Sequence, residues 1–167
     1  AMIFFLAGCA QVPKESVELS ATVGRDLAAV HEAHREAVQL LFTRMRDDIN
    51  RFIDDVYAPH QINLAMDRQQ ELANSPSQAD RNKSLLLGIN AAFQEGASPE
   101  LQDAVLQGMG FMVTSIRDDV ESMRAELLTP VIEHERDVMN AIDLAYQQIH
   151  YANSIVTGHL ASVVKVH

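Results

Sequence analysis

Between residues 19 and 56 an apolar side chain falls at Leu19, Val23, Leu27, Val30, Val38, Leu41, Met45, Ile49, Phe52 and Val56, and the one polar member of the series is His34. The steps run four, four, three and repeat. That is an eleven-residue period, about 3.67 residues per turn, and it describes one long amphipathic helix. The rhythm returns from Leu101 to Leu160, through Val105, Met109, Met112, Ile116, Val120, Met123, Leu127, Val131, His134, Val138, Ile142, Ala145, Ile149, Asn153 and Val156. Two such stripes predict an all-α fold: an elongated helical bundle of long amphipathic helices. A period this close to the ideal helix predicts nearly straight or slightly right-handed packing rather than a strong left-handed supercoil.

The length suits a single domain. Trp is absent and aromatic residues are few, so the core is expected to be aliphatic and rich in methionine. The net charge of −10 and a pI near 5 argue against nucleic acid, whose phosphates need a basic face. They argue equally against docking on anionic lipid through a polybasic patch.

Cys9 is the single cysteine and has no internal disulfide partner. It ends an apolar run, Ile3-Phe4-Phe5-Leu6-Ala7-Gly8-Cys9. Leu6-Ala7-Gly8-Cys9 resembles the lipobox of bacterial lipoproteins. The resemblance covers this N-terminal segment alone. It implies cleavage before Cys9, a diacylglycerol on its thiol, and residues 1–8 as the remainder of a signal peptide. Ala10, not being aspartate, carries no mark for inner-membrane retention, so the outer membrane, facing the periplasm, is the expected address. A signal peptide also has a cationic start and a longer apolar core. No Lys or Arg precedes Lys14, so the natural start is expected upstream, with Ala1 a cloning remnant. No apolar run reaches the roughly 18 residues of a spanning helix, which leaves the lipid as the expected membrane attachment.

Residues 9–16 read as the anchor and a short tether interrupted by Pro13, and 17–167 as one helical-bundle domain. Ser16 is the expected N-cap of a first helix reaching about Ala58. Its outer face offers pairs four apart, Arg44 with Asp48 and Arg51 with Asp47 or Asp55. Pro59 is expected to end or kink that helix, followed by a weaker one over 60–73. Ser75 and Pro76 open another, predicted to run to Glu95 and to bury Leu85, Leu86, Ile89 and Phe93. Gly96 is its stop and Ser98-Pro99 the next start. The seam keeps its phase through Pro130, which favours one kinked helix over two. Gly108 and Gly110 suggest a close approach by a neighbour. The segment from 150 onward holds no acid and, besides Lys165, no Lys or Arg, so burial against the bundle or another subunit is expected. Met45-Arg46-Asp47-Asp48-Ile49 before Pro59 echoes Ile116-Arg117-Asp118-Asp119-Val120 before Pro130, either by duplication or by chance.

Candidate chemistry is sparse. His31 and His34 share a helix face, and His134, with Glu133, Glu135, Tyr146 and His150, adds ligand types on the last helix. His34 and His134 each replace an apolar residue of a stripe, so a metal between the helices is conceivable on pattern alone. The Glu-x-x-His pattern of di-iron bundles is missing, because His31, Val131 and Gln147 stand three before His34, His134 and His150. Arg35 occupies the second histidine position of a zinc-protease motif. Hydrogen-bonded boundary histidines that fix register are the better account, with a pH-responsive packing switch a further one. The doublets Asp47-Asp48, Asp54-Asp55 and Asp118-Asp119 read as a solvated, salt-bridged face. We therefore expect no catalytic residue, no cofactor and lipidation at Cys9. The expected role is a membrane-anchored, non-enzymatic interaction or scaffold subunit of the cell envelope, binding a protein partner or a second copy of itself. The alternatives are a metal- or cofactor-binding bundle using inward histidines, and a ligand-sensing or lipid-binding module with a cavity around Gly108 to Met112.

Overall fold

The computed structural model describes residues 12–165, and all regular structure among them is helical. Helix α1 spans Lys14–Phe52, a π-helical turn spans Ile53–Tyr57, and α2 spans Ala58–Asn74. The short helices α3, Gln78–Arg81, and α4, Leu85–Ala92, precede α5, Pro99–Lys165, of 67 residues. Two compact units result: residues up to Phe42 with those from Glu133 onward, and Thr43–Ile132.

In the first unit α1 and α5 run antiparallel. Ser20 meets Thr157, His31 meets Asp143, and Phe42 meets His134. α1 starts earlier than expected. The Pro13 carbonyl accepts the Ser16 amide at 3.0 Å, so the first turn closes before Ser16 can cap it. The line of α1 that faces α5 is Ser20, Gly24, Leu27, His31, Arg35, Val38 and Phe42, each buried or half-buried. It keeps the eleven-residue rhythm but lies one position after the apolar seam for most of its length. Leu19 is consequently 66% exposed, Val30 47% and Leu41 55%. On α5 the expected seam is half-buried at Val138 and Ile142. Beyond them Tyr146, His150 and Thr157 face α1, while Ala145, Ile149 and Val156, one position earlier, are exposed. The apolar stripe is broader than the contact, and the pair closes on one edge of it.

The second unit has a fuller core, built on Ile53, Ala92, Val105 and Val120; Ile53 is 0% exposed. Pro59 does not end the helix. It sits in the first turn of α2, directly after the wide turn in which the Ala58 amide reaches back to the Ile53 carbonyl. Proline cannot donate and crowds the carbonyl four residues back, and a wider turn relieves both problems. Pro130 likewise lies inside α5, and beside it the Thr129 hydroxyl donates to the Ala125 carbonyl at 2.7 Å. The single helix expected over 76–95 is two pieces. Ser84, 4% exposed, turns the chain: its hydroxyl accepts the Leu87 amide and donates to the Gln69 carbonyl of α2, while the Leu85 amide donates to Gln69 Oε1. α4 ends at Ala92, so Phe93 falls outside it and is exposed rather than buried. Gly96, at φ 90°, takes the left-handed conformation in the loop that follows. Ser98 caps α5, accepting the Leu101 amide, with Pro99 as its first residue.

Candidate functional site

The first unit carries a ladder of polar contacts where a helix pair ordinarily buries leucine. Its central rung is Asp143. That carboxylate accepts a bond at each oxygen from Arg35 Nη1 and lies 2.8 Å from His31 Nε2. The hydrogen bond from Arg35, then that from His31, hold the Asp143 carboxyl below the usual carboxylate range, and Asp143 in turn raises Arg35. A carboxylate held ionised by an arginine is a poor proton acceptor, so this rung sets register rather than moving protons. Tyr146, 8% exposed, forms the next rung: its ring stacks on His31 with centroids 4.5 Å apart, and its hydroxyl lies 2.7 Å from His34 Nδ1.

Towards the start of α1, the Ser20 and Thr157 hydroxyls are 2.7 Å apart and Asn153 Nδ2 donates to the Ser20 carbonyl. Gly24 makes room for that amide, since a Cβ there would lie 2.9 Å from Asn153 Nδ2. At the far rung the rings of Phe42 and His134 meet edge to face at 5.6 Å.

The histidines singled out by the sequence are thus placed apart. His34 bonds to Tyr146, His134 packs on Phe42, and both are exposed, so the alternative that sets these two histidines inward and together does not match their placement. The register explains it: His34 is level with α5 near residue 142, two turns beyond His134. No group of three or more metal-ligating side chains occurs among the described residues. Of the acidic doublets, Asp54 pairs with Arg124 of α5 and Asp119 accepts from Tyr57, so two of these acids fasten helices together within the second unit. Arg51 pairs with Asp48, three residues away. Cys9 lies outside the described residues.

Sequence reasoning missed Arg35, Asp143, Ser20 and Thr157. One signal pointed to the first of the contacts, at Ser20, and none to Arg35, Asp143 or Thr157. Ser20, His31, Phe42 and Ile53 stand eleven apart, and this second, mixed series is the one that faces inward.

The ladder divides the surface of the helix pair. In an antiparallel pair, residues one position before each contact line project to the same side. On that side α1 presents Leu19, Val23, Asp26, Val30, His34, Ala37 and Leu41, and α5 presents Asp137, Ala141, Ala145, Ile149, Ala152 and Val156, all exposed and, apart from Asp26, His34 and Asp137, apolar. On the opposite side stand Arg25, Glu32 and Glu36 of α1 with Arg136 and Gln147 of α5. The first side is the more apolar of the two.

The second unit contains an open groove of about 370 Å³ between α2, α4 and α5, lined by Ala65, Gln69, Leu85, Gly108, Met112 and Ile116 among others. Leu85 seats directly on Gly108, where a Cβ would come 2.5 Å from its Cδ2, whereas Gly110 faces open space. A second cleft of about 240 Å³ lies between Ala92, Phe93, Val105, Leu106 and Met109. No helix among the described residues is long and apolar enough to cross a membrane.

No family model, curated protein or solved structure matches this chain.

Proposed function

We propose that the chain is the folded part of an exported lipoprotein, held at the periplasmic face of a bacterial membrane by a lipid on Cys9. There it acts as a non-enzymatic helical interaction or scaffold subunit of the cell envelope. One observation carries the interaction role: an uncovered, largely apolar side of the α1–α5 pair lies beside a polar seam whose groups are already satisfied. Exposed apolar residues scattered singly are ordinary, but a contiguous apolar side marks a site of association. The anchor rests on the Leu6-Ala7-Gly8-Cys9 motif.

Cross-linking in native membranes, capture through a C-terminal tag and mass spectrometry test both halves. A reproducible cross-linked species, together with a diacylglycerol-modified Cys9 peptide, is the expected result. An unmodified Cys9 in a mature chain overturns the anchor; a chain that cross-links to nothing, itself included, overturns the scaffold role.

The groove between α2, α4 and α5 supports a second reading, a module for a small apolar or acyl ligand. Native mass spectrometry of gently purified protein distinguishes it. An acyl species bound at stoichiometric level supports the second reading, and a bare chain mass counts against it.

A further inference from the structure

We infer that the uncovered side of the first unit is closed by the same side of a second copy, giving a four-helix arrangement in which α1 of one protomer packs on α5 of its partner. The inference rests on the interaction role proposed above and names the partner.

Size comes first. The α1 part of this unit, residues 14–42, is about 40 Å long at 1.5 Å per residue, and a face two helices wide is about 20 Å across, which gives roughly 800 Å² per copy. That is the area each partner of a stable, specific complex contributes, about 800 Å².

Shape then selects a second copy. The pairs Ser20–Thr157, His31–Asp143 and Phe42–His134 fix the register. At that register Val23 stands level with Ala152, Val30 with Ala145, and His34 with Ala141. At these three heights α1 presents the larger side chain and α5 an alanine, while Ile149 and Val156 lie between and beyond the alanines. Knobs need holes, and at these heights each copy carries both. A two-fold axis parallel to the helices sets α1 on the partner's α5 without changing height, so these heights are matched twice by one self-complementary contact. A two-fold axis across the helices sets α1 on α1, knob on knob, and leaves the alanines facing alanines.

Charge and orientation agree. Arg25, Glu32, Glu36 and Arg136 lie on the opposite side; Asp26 and Asp137 are the acids on this one, and with α1 set on the partner's α5 the two copies of Asp26 stand on different helix pairs rather than against each other. With the axis parallel to the helices, both α1 helices run in the same direction. The sequence ahead of Lys14, which carries Cys9, then joins both copies at the same end, and two lipids enter one membrane. The crossed arrangement sends the two anchors to opposite ends.

Sedimentation equilibrium of the full chain carrying Cys9→Ser tests the inference, with helicity followed by circular dichroism. A dimer at micromolar concentration is expected. Val30→Glu and Ala145→Lys, both at exposed positions of the single chain, are each expected to raise the dissociation constant at least tenfold with helicity unchanged. An equimolar mixture of the two is expected to recover association, because the carboxylate introduced on α1 of one chain then meets the ammonium introduced on α5 of the other. Glu36→Gln, on the charged side, leaves the constant unchanged. Disulfide trapping separates the arrangements: a chain with Val30→Cys is expected to cross-link to one with Ala145→Cys and not to itself. A monomeric chain at tens of micromolar, or a dimer indifferent to Val30→Glu, overturns the inference. If the chain is monomeric but the membrane capture described above yields a distinct protein, the interaction role stands and the second copy does not.

Discussion

Asp143 shows how one residue can matter to the fold without belonging to any apolar pattern. Its carboxyl is held low by Arg35 and then His31. A depressed folded-state pKa contributes stability that is fully present above the unfolded value, about 3.9, and is lost as pH falls through the folded one. Asp143→Asn is therefore expected to lower the thermal midpoint at neutral pH, with the gap to the parent chain closing below about pH 4. Thermal melts between pH 2 and 7 check it; a gap that persists unchanged to pH 2 rules out the linkage. Two glycines of α5 separate packing from propensity. Gly110→Ala meets nothing within 4 Å and is expected to stabilise by about 0.5 to 1 kcal/mol. At Gly108 the new methyl meets Leu85, and overpacking of about 1 to 3 kcal/mol removes that gain. Denaturant titration of both variants reads the difference. The sequence points to a close approach at this pair of glycines but not to which one receives it, because the choice depends on how α4 leans on α5.

At the scale of elements, helix existence is legible in the sequence and helix boundaries are not. Periodicity alone locates α1 and α5, and Ser98-Pro99 marks where α5 begins. What escapes are places where a distant residue decides a local one. Ser84 breaks the helix expected over 76–95 because Gln69 of α2 offers both a carbonyl and a side-chain oxygen to that turn, and nothing within five residues of Ser84 announces it. Ser84→Ala removes a cap and leaves the Gln69 carbonyl without this donor. The expected loss is about 1 to 2 kcal/mol, measured by urea unfolding; a change below a few tenths shows that water replaces the hydroxyl. Pro59 misleads in the opposite direction. On sequence it is a stop or a kink, yet one wide turn at Ile53–Tyr57 carries the chain past it into α2, and the same turn accompanies the deepest burial in the second unit, at Ile53. Pro130 is passed within a regular helix. The two prolines of the echoed motifs are thus met by different backbones, which gives a duplication no structural support.

At the scale of the whole molecule, the apolar seam and the contact line of the first unit differ by one residue, and that offset explains what the sequence overstates. A stripe read from spacing reports the average direction of hydrophobicity. It does not report how many neighbours share it. A stripe that serves two contacts points between them; here α5 takes one edge through Ser20, His31 and Phe42, while Leu19, Val30 and Leu41 on the other edge stay exposed. The neutral segment after residue 150 is divided in the same way: Asn153 and Thr157 meet α1, while Tyr151, Ile155 and Val156 are more than half exposed. If a second copy covers that edge, stability becomes a function of protein concentration. A tenfold rise in concentration then adds about 1.4 kcal/mol to the dimer, and the thermal midpoint rises with it. Hydrogen exchange locates the effect. Amides of 14–42 and 133–165 are expected to gain protection as concentration increases from about one to about one hundred micromolar, while sub-global opening within 43–132 proceeds at an unchanged rate. Equal gains in both units place the contact elsewhere, and no gain in either leaves the apolar side of the helix pair facing water.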